Sequence, residues 1–189
     1  MKILVDRLKD SPTELAFEET GAWRADLEEA LPELRGSLAE PIRASLRAHR
    51  MALDVYLEGT LRGALDLECS RCLARYREPL LEPFRLVLSP AGTRVPAEPE
   101  AAAALDRYGL CLADELETGW FQGYEIDLSG LFQEIVTLAI PVQPLCRDDC
   151  KGLCPRCGAD RNAGPCGCAE SRPHSPFAVL GSLRTRGDS

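Results

Sequence analysis

Six cysteines fall in one short stretch of this chain, Cys146-Arg147-Asp148-Asp149-Cys150-Lys151-Gly152-Leu153-Cys154-Pro155-Arg156-Cys157, closed by Cys166-Gly167-Cys168. Thiols at this density and spacing have few uses other than holding a metal. Two residues between cysteines let the chain fold back so that both sulfurs reach one ion at about 2.3 Å. Pro155 fixes a turn φ and Gly158 supplies the permissive backbone after it, so Cys154 to Gly158 reads as a zinc knuckle. A second such pair stands at Cys69-Ser70-Arg71-Cys72.

A disulfide framework is the rival use. It fits poorly with an odd total of nine cysteines and an opening, Met1-Lys2-Ile3-Leu4-Val5-Asp6-Arg7, that has no apolar signal segment. A chain of 189 residues can also bury a core without covalent staples. Neither Cys-x-x-Cys pair opens a βαβ pattern, as a thioredoxin-like redox site requires. No stretch approaches a membrane span, and the chain is read as cytoplasmic. Its formal charge of −8 argues against holding nucleic acid by net charge alone.

Period-two patterning dominates the first half. From Leu53 to Cys69 the odd positions are apolar or small (Leu53, Val55, Leu57, Gly59, Leu61, Gly63, Leu65, Leu67) and the even ones largely polar. This is strand with one wet face. Its length predicts a turn near Glu58-Gly59-Thr60. A preceding strand is expected over 42–48, with Ala44, Leu46 and Ala48 inward. A following one is expected over 76–88, with Leu80, Phe84, Leu86 and Leu88 on one side. The three make an antiparallel meander with the Cys69/Cys72 turn at one end. Ile3-Leu4-Val5 reads as a short strand and Ala25–Ala30 as a brief helix stopped near Pro32.

Residues 89–123 read as a loose, mobile, acidic loop, from Pro90, Gly92, Pro96, Pro99 and the alanines 101–104. Its carboxylates (Glu98, Glu100, Asp106, Asp114, Glu115, Glu117) read as a solvated face rather than a docking patch. Tyr124–Leu128 enters as a short strand. Asp127 or Ser129 then caps a helix whose stripe is Leu128, Leu131, Phe132, Ile135, Leu138 and Ala139, lying across the sheet. Pro141 and Pro144 end it. In the tail, Phe177, Leu180 and Leu183 form a helical stripe, and residues 184–189 are expected to be disordered.

The fold class is therefore α+β: an antiparallel meander packed by one or two helices, with a C-terminal cysteine-rich zinc-binding lobe. The expected division is a body over 1–145, the lobe over 146–170, and a helix and tail over 171–189.

Eight of the cysteines form four close pairs, and a closed structural zinc site takes four ligands. Cys154, Cys157, Cys166 and Cys168 suit one local site, with Gly167 allowing the tight spacing of the last two sulfurs. Cys69 and Cys72 would then join Cys146 and Cys150. The rival pairing, Cys154/Cys157 with Cys69/Cys72, stays open. A catalytic zinc site wants an open position and a nearby base, whereas His49 and His174 are lone and read as surface residues. Cys111 reads as a small buried hydrophobe. No Ser/His/Asp set, phosphate loop or carboxylate pair marks an enzyme. Arg71, Arg75, Arg77, Lys151, Arg156 and Arg161 flank the knuckles as a candidate RNA-binding patch, with Tyr76 as a stacking platform. Alternatively these cations are solvated, or paired with Asp148, Asp149 and Asp160.

Several segments in order resemble the YceD family, bacterial proteins named for accumulation of large-subunit ribosomal RNA. They are Leu67–Leu73, Glu125–Leu128 with its helix, Pro141-Val142, Cys146–Gly158, Asn162, Cys166–Cys168 and Ser175–Leu183, spread from Glu40 to Arg184. The resemblance implies a small, non-enzymatic α+β protein linked to synthesis or stability of 23S ribosomal RNA. Its partner would be an RNA precursor or a pre-ribosomal protein. The alternative is a zinc-stabilised protein-interaction module without RNA contact.

Overall fold

The computed structural model describes residues 1–113 and 117–168. The stripe Phe177, Leu180 and Leu183, the tail beyond it, His174, and the acidic pair Asp114 and Glu115 lie outside the described residues.

Strands β1 (Lys2–Leu4), β2 (Thr13–Glu18), β3 (Leu38–Met51), β4 (Asp54–Glu68), β5 (Arg75–Pro90), β6 (Leu110–Leu112), β7 (Thr118–Phe121) and β8 (Glu125–Asp127) alternate with helices α1 (Gly21–Ala30), α2 (Pro99–Tyr108) and α3 (Ser129–Ala139). Six strands form one sheet in the order β2-β3-β4-β5-β7-β6, and β1 pairs with β8 in a small second sheet. The pairings are antiparallel except β5–β7, which is parallel. This is an α+β fold with the meander β3-β4-β5 at its centre.

Alternation builds that meander. Ala44, Leu46 and Ala48 of β3, Val55, Leu57, Leu61 and Leu65 of β4, and Leu80, Leu86 and Leu88 of β5 are all buried on one face. The expected turn at residues 58–60 is absent, and β4 runs unbroken. Its glycines serve close approach instead. A Cβ on Gly59 would lie 2.5 Å from Leu46 Cβ and from the Ser45 carbonyl, and one on Gly63 2.9 Å from Ile42 Cδ1. The chain reverses at Ala52 and again before Leu73, both with positive φ. Because β7 pairs only with Val87–Pro90, the earlier part of β5 has no partner on that side among the described residues. Pro79 and Pro83 stand there and give no N–H to an incoming strand.

The helices close the inner face. Thr20 accepts the Trp23 N–H at 3.2 Å and starts α1 one turn earlier than Ala25. Trp23 and Leu27 are buried, and the Trp23 indole donates to the Ser129 carbonyl at 3.0 Å, tying α1 to the start of α3. Phe132 of α3 is fully buried between Phe17 and Phe84, at ring separations of 6.3 and 5.9 Å. Leu131 and Val136 are buried beside it, but Leu138 is 78% exposed. Leu138 lies two turns beyond Leu131 on the same stripe, where nothing among the described residues covers it. Neither Asp127 nor Ser129 is the formal cap. Leu128 holds that position, and the Asp127 carboxylate accepts the Ser129 N–H at 2.9 Å from just outside the helix.

Further elements correct the sequence reading. The segment 89–123 contains α2, β6 and β7 rather than loop throughout. Pro99 in its first turn and the alanines after it are helix-start and helix-forming residues, and Gly109 ends the helix at φ 68°. Strand β2 adds an edge that the short mixed run 13–18 did not announce. Ile3–Leu4 pairs with β8, while Val5–Arg7 turns into a 3₁₀ helix. Among the described residues no helix is long and apolar enough to cross a membrane.

Candidate metal centre

Strand β4 delivers Cys69 to the end of the sheet, and the turn to β5 presents Cys72. The Cys69 N–H bonds the Ala74 carbonyl at 3.0 Å, the Leu73 N–H returns to the Cys69 carbonyl at 2.9 Å, and the Arg71 N–H points at Cys69 Sγ at 3.5 Å. Past α3, the Pro144 carbonyl accepts the Ser70 N–H at 2.8 Å and docks the chain against this turn. Cys146 and Cys150 follow at once. Their sulfurs stand 3.7 Å from Cys72 Sγ and 3.8 Å from Cys69 Sγ respectively. All four Sγ atoms lie within 4.8 Å of one another.

Four thiolates about 2.3 Å from one ion stand at the corners of a tetrahedron with an edge of about 3.8 Å. The two separations above match that edge. Cys69, Cys72 and Cys150 are buried, Cys146 half-buried, and Leu145, Leu153 and Tyr76 pack around them.

The second group is local. Cys154, Cys157, Cys166 and Cys168 also bring their sulfurs within 4.8 Å of one another. The Cys154 N–H bonds the Ala159 carbonyl at 2.8 Å and the Gly158 N–H the Cys154 carbonyl at 2.9 Å, with Gly158 at φ 72°. Gly167 has neither a left-handed φ nor a neighbour within 4 Å of its Cβ position, so the Cys166–Cys168 approach does not depend on it. Cys157 is exposed, Cys166 and Cys168 half-buried.

Backbone amides aimed at sulfur split the acidities within each group. N–H donation, led by Cys146, lowers Cys69 to about 6 against burial. Amides of Cys157 and Arg156 lower Cys154 to about 6. Burial and then its neighbouring thiols push Cys146 up to about 12, and the hydrogen bond with Cys157 and then burial push Cys168 to about 12. The Asn162 amide, against burial, lowers Cys150 as well, so Cys69 and Cys150 in the first group and Cys154 in the second lean toward thiolate. A cation would supply the driving force for the others.

The flanking cations have mixed surroundings. Arg71 donates to the carbonyls of Cys150 at 2.9 Å and Asp148 at 3.4 Å, and so braces the first group. Arg77 pairs with Asp66 at 3.2 Å on the neighbouring β4 and reaches Glu40 at 3.8 Å on β3, one strand further. Asp149 pairs with Arg147 at 3.2 Å, not with one of the six flanking cations. Arg75, Lys151, Arg156 and Arg161 are exposed. Tyr76 is not a stacking platform. Its ring packs between the main core and the first cysteine group, and its hydroxyl is buried without a hydrogen-bond partner among the described residues. Alternation in β5 turns Tyr76 inward, between the outward Arg75 and Arg77. His49 is half-buried and stacks on Tyr56 at 5.0 Å. Cys111 is buried, and burial pushes its thiol up.

Fold and site together define a small α+β protein with two four-cysteine centres, one bringing the chain after α3 to the end of the sheet. The family model described as large ribosomal RNA subunit accumulation protein YceD matches residues 57–184, and the chain belongs to that family. It is 27% identical over 163 residues to the chloroplastic large ribosomal RNA subunit accumulation protein YCED homolog 1 of Arabidopsis thaliana, covering 76% of this chain and 49% of that one. The Zea mays protein of the same description is 27% identical over 167 residues, covering 79% and 56%. A Mycobacterium tuberculosis protein described as uncharacterized is 32% identical over 120 residues, covering 64% and 51%. The chain spans about half the length of the curated relatives it matches. No solved structure matches it.

Proposed function

We propose that this protein is a non-enzymatic ribosome-biogenesis factor supporting accumulation of large-subunit (23S) ribosomal RNA, built around two structural zinc ions. Family membership over a span that contains all eight clustered cysteines carries the reading. The plant relatives are named for large ribosomal RNA subunit accumulation. The donor set supports zinc: soft thiolates only, four per site, with the sulfurs of each site within 4.8 Å of one another. Four cysteines fill the coordination sphere and leave no position for substrate or water. The first ion joins residues 146–150 to the body at 1–145, and the second folds the rest of the lobe to residue 170. The factor works in the cytoplasm.

RNA contact through Arg75, Lys151, Arg156 and Arg161 completes this reading, because an acidic chain engages phosphate through a local patch. A second reading is a zinc-built docking module for a pre-ribosomal protein. The engagement of Arg71 and Arg77 with carbonyls and carboxylates favours it, since it shrinks the patch. Crosslinking in cells, followed by sequencing of recovered RNA, separates the two. The expected result is enrichment of large-subunit RNA, lost when Arg75, Lys151 and Arg156 are changed together to Glu with zinc content unchanged. Undiminished recovery from that variant refutes the patch, and no enrichment from the wild type leaves the docking module.

A further inference from the structure

Asn162 lies on the loop between Cys157 and Cys166, yet its side chain reaches the other cysteine group. Its Nδ2 donates to Cys150 Sγ at 3.4 Å and to Asp160 Oδ1 at 2.8 Å, and its Oδ1 accepts the Lys151 N–H at 2.8 Å. The orientation of the amide is chemically forced. A backbone N–H can only meet the oxygen and a carboxylate can only meet the nitrogen, so the NH₂ faces the sulfur. Asp160 also accepts the Asn162 N–H at 2.9 Å, which fixes the residue from both sides. The same loop is joined to the first knuckle by backbone. The Leu153 N–H bonds the Arg71 carbonyl at 3.0 Å and the Arg161 N–H the Gly152 carbonyl at 3.0 Å. Gly152, at φ 69°, lies so close to Arg71 that a Cβ would stand 2.8 Å from its carbonyl.

We infer that Asn162 couples the two centres, so that metal bound by Cys154, Cys157, Cys166 and Cys168 strengthens binding of metal by Cys69, Cys72, Cys146 and Cys150. The inference rests on the zinc reading above. Closing the second centre orders the loop that carries Asn162, and the ordered amide then donates to a thiolate of the first. Such outer hydrogen bonds to ligands are worth about 10–100-fold in metal affinity. By linkage, the first ion strengthens the second by the same factor. Asn162 is thus a positioning residue for metal and makes no bond to it.

The test uses the full-length zinc-loaded chain and a competing chelator. Freed thiols are alkylated and located by mass spectrometry, so each centre is read separately. Asn162→Ala should weaken zinc retention by the first centre about 10-fold. Cys157→Ser with Cys166→Ser should do the same, and the combined variant should lose no more than either. Asn162→Asp keeps the Lys151 bond but places a carboxylate against the thiolate, so its loss should be larger. Far-UV circular dichroism checks that the sheet persists in every variant. Unchanged retention by the first centre in Asn162→Ala and Asn162→Asp, or losses that multiply in the combined variant, overturns the coupling alone. A wild-type chain that holds no zinc overturns the reading beneath it.

Discussion

Tyr76 sets an aromatic ring at the seam between the main core and the first cysteine group, with its hydroxyl buried and without a well-formed hydrogen bond among the described residues. Burial, then the nearby Glu78 carboxylate, holds the phenol above its usual acidity range. A buried hydroxyl without a partner costs about 1–3 kcal/mol. Tyr76→Phe should therefore raise stability by about 1 kcal/mol, seen as a higher urea midpoint at unchanged slope. Lower stability would mean that the hydroxyl has a partner in solution. Gly59 makes the opposite point. Gly59→Ala drives a methyl into Leu46 and the backbone of β3, and should cost about 1–3 kcal/mol. A variant as stable as the wild type in the same denaturation would show that the two strands separate freely there.

At the scale of elements, α3 depends on Asp127, two residues before its first. Burial alone would raise the Asp127 carboxyl, but the Ser129 hydroxyl and N–H and the Met1 amino group outweigh it and hold the group below the usual range. A depressed carboxyl stabilises the fold above its unfolded value, about 3.9, and loses that contribution as pH falls through its lower folded value. Asp127→Asn should reduce stability at neutral pH and flatten the acid limb of the stability curve. Parallel wild-type and variant curves down to pH 2 would remove Asp127 from that role. The same scale shows where alternation misleads. The length of the run from Leu53 predicts a turn at Glu58-Gly59-Thr60, while in space Gly59 and Gly63 lie in one unbroken strand and admit β3. The alanines after Pro99 share a composition with flexible linkers, yet with Pro99 in the first turn and Gly109 after the end they make a helix.

At the scale of the molecule, the two centres have different reach. Cys69→Ser should release residues 146–150 from the sheet, with lost hydrogen-exchange protection in both 69–72 and 146–150. Cys154→Ser should open residues 154–168 and, at saturating zinc, leave the first centre and the sheet protected. Zinc content should fall from two ions to one in each variant. Identical protection patterns in the two would mean that the centres fold as one unit.

What the sequence determined by itself was local. Cysteine spacing announced thiol clusters, period two announced the three central strands, and helical spacing announced α3, because each depends only on residues a few positions apart. It left two ways of pairing the cysteine doublets. Which sulfurs meet was decided by tertiary structure, through the Pro144–Ser70 bond that brings Cys146 and Cys150 to the sheet end. The same holds for Tyr76, which reads as an exposed aromatic between arginines but is turned inward by the pleat of β5, and for Arg77, whose carboxylate partners lie on β4 and β3. Asn162 is the plainest case. Nothing in its neighbourhood along the chain points to Cys150, and only the docking of one cysteine loop on the other places its amide against that sulfur.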